Sequence, residues 1–173
     1  GGDPFVFGRG TEELDYAESF GLEAQIVSGV TSSISVPASL GVSLTKRKVA
    51  NSFCVVTGTT TDRTLSDDLY AFAKTSATVV VLMGMSKLDQ IVAVFKGENK
   101  GDLPVAIIQN GTTEQEKIGI GTIDTIAAVV ADEGLSSPAI IVIGEVVKES
   151  QKLRYFYEEL TIDNEVFYDR FIN

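Results

Sequence analysis

Two uninterrupted apolar runs, Thr78-Val79-Val80-Val81-Leu82-Met83 and Ala139-Ile140-Ile141-Val142-Ile143, constrain the fold of this 173-residue chain more than any other feature. A strand with one wet face alternates apolar and polar residues, whereas a strand that is apolar throughout is buried on both faces and needs helices above and below its sheet. The rest of the pattern supplies those helices. Strands at 52–57, 77–83, 104–109, 117–121 and 139–147 are interleaved with helical spacing at 66–75, 86–97 and 122–133, the order of successive βαβ crossovers. This predicts an α/β fold with a mixed, mostly parallel sheet. The exception is the pair 105–108 and 117–120, where a short polar connection predicts an antiparallel hairpin.

Ahead of this alternation the character differs. Leu14, Ala17 and Phe20 recur at helical spacing behind Glu12 and Glu13, and Gly21 stands where a helix stops, so a short helix is predicted over 11–20. Residues 24–27 read as a buried strand. Thr31 or Ser32 is placed to N-cap a further helix running toward Ala38 and Leu40, which Gly41 ends. Thr45-Lys46-Arg47-Lys48 is the densest positive cluster, and a domain boundary is placed there, with residues 47–150 as the following α/β domain. Beyond it, residues 151–173 form an aromatic-rich tail holding Tyr155, Phe156, Tyr157, Phe167, Tyr168 and Phe171. The opening Gly1-Gly2-Asp3-Pro4 is turn chemistry of the kind that follows a strand, which predicts that the sequence starts inside a domain.

Composition removes several functional classes. With 14 Lys+Arg against 24 Asp+Glu the net charge is −10, which gives no overall attraction for phosphate backbones and argues against nucleic acid as a partner. The chain has no histidine, so it cannot by itself build a Ser-His-Asp hydrolase or a His-based zinc site, and one cysteine cannot make a cysteine-rich metal site. Cys54 lies in the apolar run Phe53-Cys54-Val55-Val56 and reads as a buried, inert thiol, with a cytoplasmic location as the default. No apolar stretch approaches the roughly 18 residues of a membrane span.

Ligands of open α/β sheets sit beyond the carboxyl ends of the strands, which directs attention to four loops: Gly1-Gly2-Asp3, Gly29 to Ser32, Met83-Gly84-Met85 and Asn110-Gly111-Thr112-Thr113. Their glycines admit close backbone approach and Thr31 and Ser32 offer hydroxyls at a helix start. Each loop alone also fits an ordinary turn or cap. Lys46-Arg47-Lys48 fits either a solvated linker or a docking patch for a polyanion. The carboxylate pairs Asp67 and Asp68, Glu114 and Glu116, and Glu158 and Glu159 fit solvated helix faces and first turns, and no catalytic residue is assigned to them.

The string Gly1-Gly2-Asp3-Pro4-Phe5-Val6-Phe7-Gly8-Arg9-Gly10 closely resembles the S-adenosylmethionine loop of the uroporphyrinogen-III C-methyltransferases, in the tetrapyrrole methylase superfamily. The similarity continues through Ser28-Gly29-Val30-Thr31-Ser32, Gly41-Val42-Ser43-Leu44-Thr45-Lys46-Arg47, Val55-Val56-Thr57-Gly58, Val81-Leu82-Met83-Gly84, Asn110-Gly111-Thr112-Thr113-Glu114-Gln115 and Ile143-Gly144-Glu145-Val146-Val147. The resemblance implies the two-domain tetrapyrrole methylase fold. Residues 1–46 would be the latter part of the amino-terminal α/β domain and 47–150 the complete carboxyl-terminal one. It also implies a homodimer with S-adenosyl-L-methionine bound between the domains against Gly1, Gly2, Asp3, Val6, Thr31, Ser32, Met83 and Gly111. The implied reaction is C-methylation of uroporphyrinogen III to precorrin-2, on the route to sirohaem or cobalamin, with Lys46 and Arg47 meeting the substrate's carboxylates at the cleft's hinge. By the resemblance, the segment that carries the family's usual acid and base is absent from this sequence, so the chain alone is expected to hold most of the donor site and little of the chemistry, and no metal is implied. Where the family commonly has Pro, this chain has Ser28 and Ser43, and where it commonly has His, this chain has Lys46 and Thr59. Two alternatives stay open: a sibling methylase acting on a later precorrin, on rRNA or on a modified protein histidine, and a non-catalytic donor-binding module.

Overall fold

The computed structural model describes residues 2–153, so the Gly1 assignment and most of the aromatic tail lie outside the described residues. Its elements in chain order are α1 (Gly10–Ser19), α2 (Ser32–Ser39), β1 (Phe53–Thr57), α3 (Asp68–Ala73), β2 (Thr78–Leu82), α4 (Leu88–Gly97), β3 (Pro104–Gln109), β4 (Lys117–Thr122), α5 (Ile126–Asp132) and β5 (Ala139–Ile143). Single 3-10 turns at Met85–Lys87 and Glu145–Glu149 follow β2 and β5.

The five strands form one mixed sheet in the order β1-β2-β5-β3-β4. Only β1 and β2 pair in parallel, while β2 with β5, β5 with β3, and β3 with β4 pair antiparallel, which corrects the mostly parallel expectation. The physical reason lies in the β3–β4 hairpin. Each helical crossover joins strands that run the same way, as expected, but the hairpin reverses the chain, so β4 and β5 run against β1, β2 and β3. β5 then inserts between β2 and β3 and turns both of its ladders antiparallel. The expected strand over 139–147 also stops at Ile143, because Gly144, at φ +148°, turns the chain into the 3-10 segment.

Both faces of the sheet are covered. On one, Val79, Val81, Val105, Ile107, Ile141 and Ile143 pack with Leu69 of α3, Ile91 and Phe95 of α4 and Ile126 of α5. On the other, the alternate residues Val80, Ala106, Ile108, Ile140 and Val142 pack with Val36 and Leu40 of α2 and with Val42, Leu44, Val146, Val147 and Leu153. The two-residue period of a strand sends successive side chains to opposite faces, so unbroken apolar runs feed two cores at once.

α2 therefore belongs structurally to the cover of this sheet. Residues 10–30 make no comparable core: α1 buries no residue, although its Tyr16 and Phe20 rings meet edge to face at 5.0 Å. The strand expected at 24–27 does not form. Ile26 and Val27 are exposed, Val27 at 82%, and among the described residues ahead of β1 there is no other strand to complete a ladder with them.

Candidate methyl-donor cleft

The cleft lies at one edge of the sheet, where the carboxyl ends of β2 and β3 meet the amino end of the oppositely directed β5. Its volume is about 740 Å³. Leu82, Ile108 and Ile140 form an apolar floor from three adjacent strands, with Ile108 and Ile140 facing each other in register. Val36 of α2 closes one side. Thr31, Ser32, Asn110 and Thr113 bring polar groups to the rim, and Asp3 is the one ionisable side chain among the described lining residues.

Four loops build this space. The first is held by Asp3, whose Oδ1 accepts from the Phe5 N–H at 2.8 Å while Oδ2 accepts from the Gly29 N–H at 2.9 Å. This carboxylate ties the 2–10 loop to the loop ahead of α2. The contact requires glycine, since a Cβ at Gly29 would stand 2.1 Å from the Gly2 carbonyl oxygen. Thr31 then caps α2, its Oγ1 accepting from the Ser33 N–H at 3.4 Å and lying 2.9 Å from the Ser33 hydroxyl. The cap satisfies one of the free amides at a helix start and fixes where α2 enters the cleft.

The third loop follows β2. Met83 adopts φ +54°, a region that L side chains rarely occupy, and leaves its side chain 55% exposed to the cleft. The fourth follows β3, where Asn110 and Thr112 also have positive φ, at +49° and +68°. It is pinned by the Asn110 N–H donating to the Pro138 carbonyl at 3.0 Å and by the Thr112 N–H donating to Glu116 Oε2 at 2.8 Å. Gly111 lies against Val36, which joins this loop to α2. Left-handed backbone at Met83, Asn110 and Thr112 thus concentrates conformational strain in the loops around this cleft.

Of the residues singled out from sequence, Gly2, Asp3, Val6, Thr31, Ser32, Met83 and Gly111 all line this single cleft. Lys46 and Arg47 do not. α2 starts at the cleft and runs down the sheet, so the turn after it emerges at the opposite edge, about 16 Å away for strands of this length. There Lys46 pairs with Glu149, in the segment that follows β5, and Arg47 is exposed. The expected place of this basic cluster at the cleft's hinge is corrected accordingly.

Sequence reading missed Phe7, Val36, Pro138, Ala139 and Ile140 in the lining. Pro138 directly precedes β5 and Ala139 and Ile140 open it, so they reach this edge only because β5 is reversed. Cys54, on β1, lies away from the lining and is half-buried rather than buried. Burial pushes its thiol from 9.0 up to about 11 and its Sγ–H points to the Thr78 carbonyl at 3.8 Å, which leaves it protonated at neutral pH.

The family model for Tetrapyrrole (Corrin/Porphyrin) Methylases matches residues 1–127. The chain belongs to this family. Among curated tetrapyrrole methylases it is 38% identical over 160 residues to the siroheme synthase of Methylobacillus flagellatus, covering 90% of this chain and 34% of that protein. It is 38% identical over 149 residues to the uroporphyrinogen-III C-methyltransferase of Methanocaldococcus jannaschii, covering 85% of this chain and 62% of that one. The chain thus spans about a third of the siroheme synthase and about three fifths of the uroporphyrinogen-III C-methyltransferase. Among solved structures, the uroporphyrin-III C-methyl transferase from Thermus thermophilus complexed with S-adenyl homocysteine superposes with a TM-score of 0.71 at 33% identity, over 86% of this chain and 64% of that one. A cobalt precorrin-4 methyltransferase, at TM-score 0.76 and 22% identity over 84% of this chain and 62% of that one, shares the tetrapyrrole methylase fold.

Proposed function

We propose that this chain carries the methyl-donor site of an S-adenosylmethionine-dependent uroporphyrinogen-III C-methyltransferase, converting uroporphyrinogen III to precorrin-2 as a homodimer. The observation that carries the reading is convergence: seven residues drawn from four stretches of sequence, from Gly2 to Gly111, line one cleft. A tetrapyrrole methylase of known structure that resembles this chain was solved with S-adenyl homocysteine.

The cleft suits such a ligand. Its volume of about 740 Å³ falls in the range of small-molecule pockets, roughly 300 to 1,000 Å³, and it pairs an apolar floor with a few polar groups at the rim. Leu82, Met83 and Ile140 offer apolar surface to a flat base. The capped start of α2, with Thr31 and Ser32, offers hydroxyls and amides to an amino-acid end, and the Asp3 carboxylate is the one formal charge in the lining, negative toward a cationic ligand.

When bound, the donor supplies a methyl group on a positively charged sulfur, which an electron-rich pyrrole carbon can attack in line. The chain's contribution is orientation and exclusion of water, because the described lining carries no acid or base besides Asp3, whose carboxylate already receives two backbone N–H groups. Incubating the full-length protein that carries this chain with uroporphyrinogen III and methyl-labelled S-adenosylmethionine tests the reading. A product carrying two labelled methyl groups by mass spectrometry is expected. Label on a later precorrin instead, or on no tetrapyrrole, would overturn it.

A further inference from the structure

We propose that Thr59, which does not line the cleft, is a positioning residue for donor binding that acts by latching Met83 into its left-handed backbone conformation; this rests on reading the cleft as the donor site. The latch joins the turns after β1 and β2. The Thr59 Oγ1 hydroxyl donates to the Met83 carbonyl at 2.9 Å, and beside it the Gly58 N–H donates to the Leu82 carbonyl at 2.7 Å.

The turn that carries Thr59 is itself closed at both ends by one hydroxyl. Thr57 Oγ1 donates to the Thr59 carbonyl at 2.7 Å and accepts from the Thr59 N–H at 3.3 Å. The two turns are pressed together so closely that a Cβ at Gly58 would stand 2.4 Å from the Gly84 Cα. Met83, between Leu82 and Gly84, is thereby held from both sides at φ +54°, while its side chain stays 55% exposed on the cleft wall. A methionine resists this conformation. A side-chain donor to its carbonyl helps to keep it there, and that donor is the Thr59 hydroxyl.

The test compares Thr59→Val, which replaces the hydroxyl by a methyl group of similar size, with Thr59→Ser, which keeps the hydroxyl. Isothermal titration of the 173-residue chain with S-adenosylhomocysteine reads the affinity. Loss of one ordinary hydrogen bond predicts a weakening of about three- to tenfold in T59V. T59S should bind as wild type does. A second readout follows from the chain's having 2 methionines, Met83 and Met85, so that a ¹³C-methyl methionine spectrum holds one resonance for each. In T59V the Met83 resonance should move without ligand while that of Met85 stays. Thr59→Ala, which removes the same hydroxyl with less bulk, takes the place of T59V if the valine disrupts the turn.

Equal affinity in T59V and wild type, an unmoved Met83 resonance, or binding by T59S as weak as by T59V would overturn the role of Thr59 and leave the donor reading standing. A wild-type chain that takes up no S-adenosylhomocysteine would overturn the donor reading, and the latch with it.

Discussion

Asp3 shows how one residue can be read correctly for its place and incompletely for its work. Its resemblance to a donor-loop residue puts it at the cleft, where it is found, yet both carboxylate oxygens already accept backbone N–H groups, from Phe5 and Gly29. Its first task is to clamp two loops together, a task no local pattern reveals because its partner lies 26 residues away. Cys54 is a partial case: its apolar neighbours indicate an unreactive thiol but overstate its burial, because it lies half-buried on β1. Burial raises its thiol to about 11 from 9.0, so the folded protein holds that proton to higher pH than the unfolded chain does. The contribution of Cys54 to stability is therefore fully present below pH 9 and is lost as pH rises toward 11. Unfolding titrations with urea between those limits should show wild type losing stability more steeply than Cys54→Ala, and alkylation of the native thiol at pH 8 should be slow relative to the unfolded chain.

At the scale of elements, the existence of the strands and helices was legible, whereas their directions were not. Apolar runs specify burial on both faces, and a run such as 139–143 satisfies that equally well in either direction. What decides is the β3–β4 hairpin, which reverses the chain and places β5 between β2 and β3. The strand foreseen at 24–27 fails for a related reason: a ladder needs a neighbour, and apolar sequence alone does not provide one. α2 was better specified, since Thr31 is a capping residue by type and Gly41 a stop. Thr31→Ala removes the cap bond to the Ser33 N–H and should destabilise the fold by about 1 kcal/mol, with Thr31→Ser close to wild type in thermal unfolding. Because α2 covers the sheet through Val36 and Leu40, that loss should register in global unfolding rather than as local fraying.

Across the whole molecule, the cleft gathers loops that are distant in sequence because crossovers return β1, β2 and β3 in the same sense and so bring their carboxyl ends to one edge. That logic made Met83 and Gly111 legible as neighbours. The same logic hid Pro138, Ala139 and Ile140, which lie at the amino end of a strand, and it misplaced Lys46 and Arg47, because order along the chain does not show that α2 carries the backbone to the far edge before β1 begins. The proposed donor site is thus a property of the assembled sheet edge, and Met83 is the place to test it. Its side chain is exposed, and aspartate tolerates its left-handed backbone, so Met83→Asp should fold while placing a charge on the apolar wall. Thermal unfolding with and without S-adenosylhomocysteine reads the outcome directly. Saturating ligand should raise the wild-type midpoint, with a stabilisation of about 2.7 kcal/mol at a hundredfold excess over Kd, and should leave that of Met83→Asp unchanged. No shift in wild type, or the same shift in both proteins, would mean that the donor does not bind in this cleft.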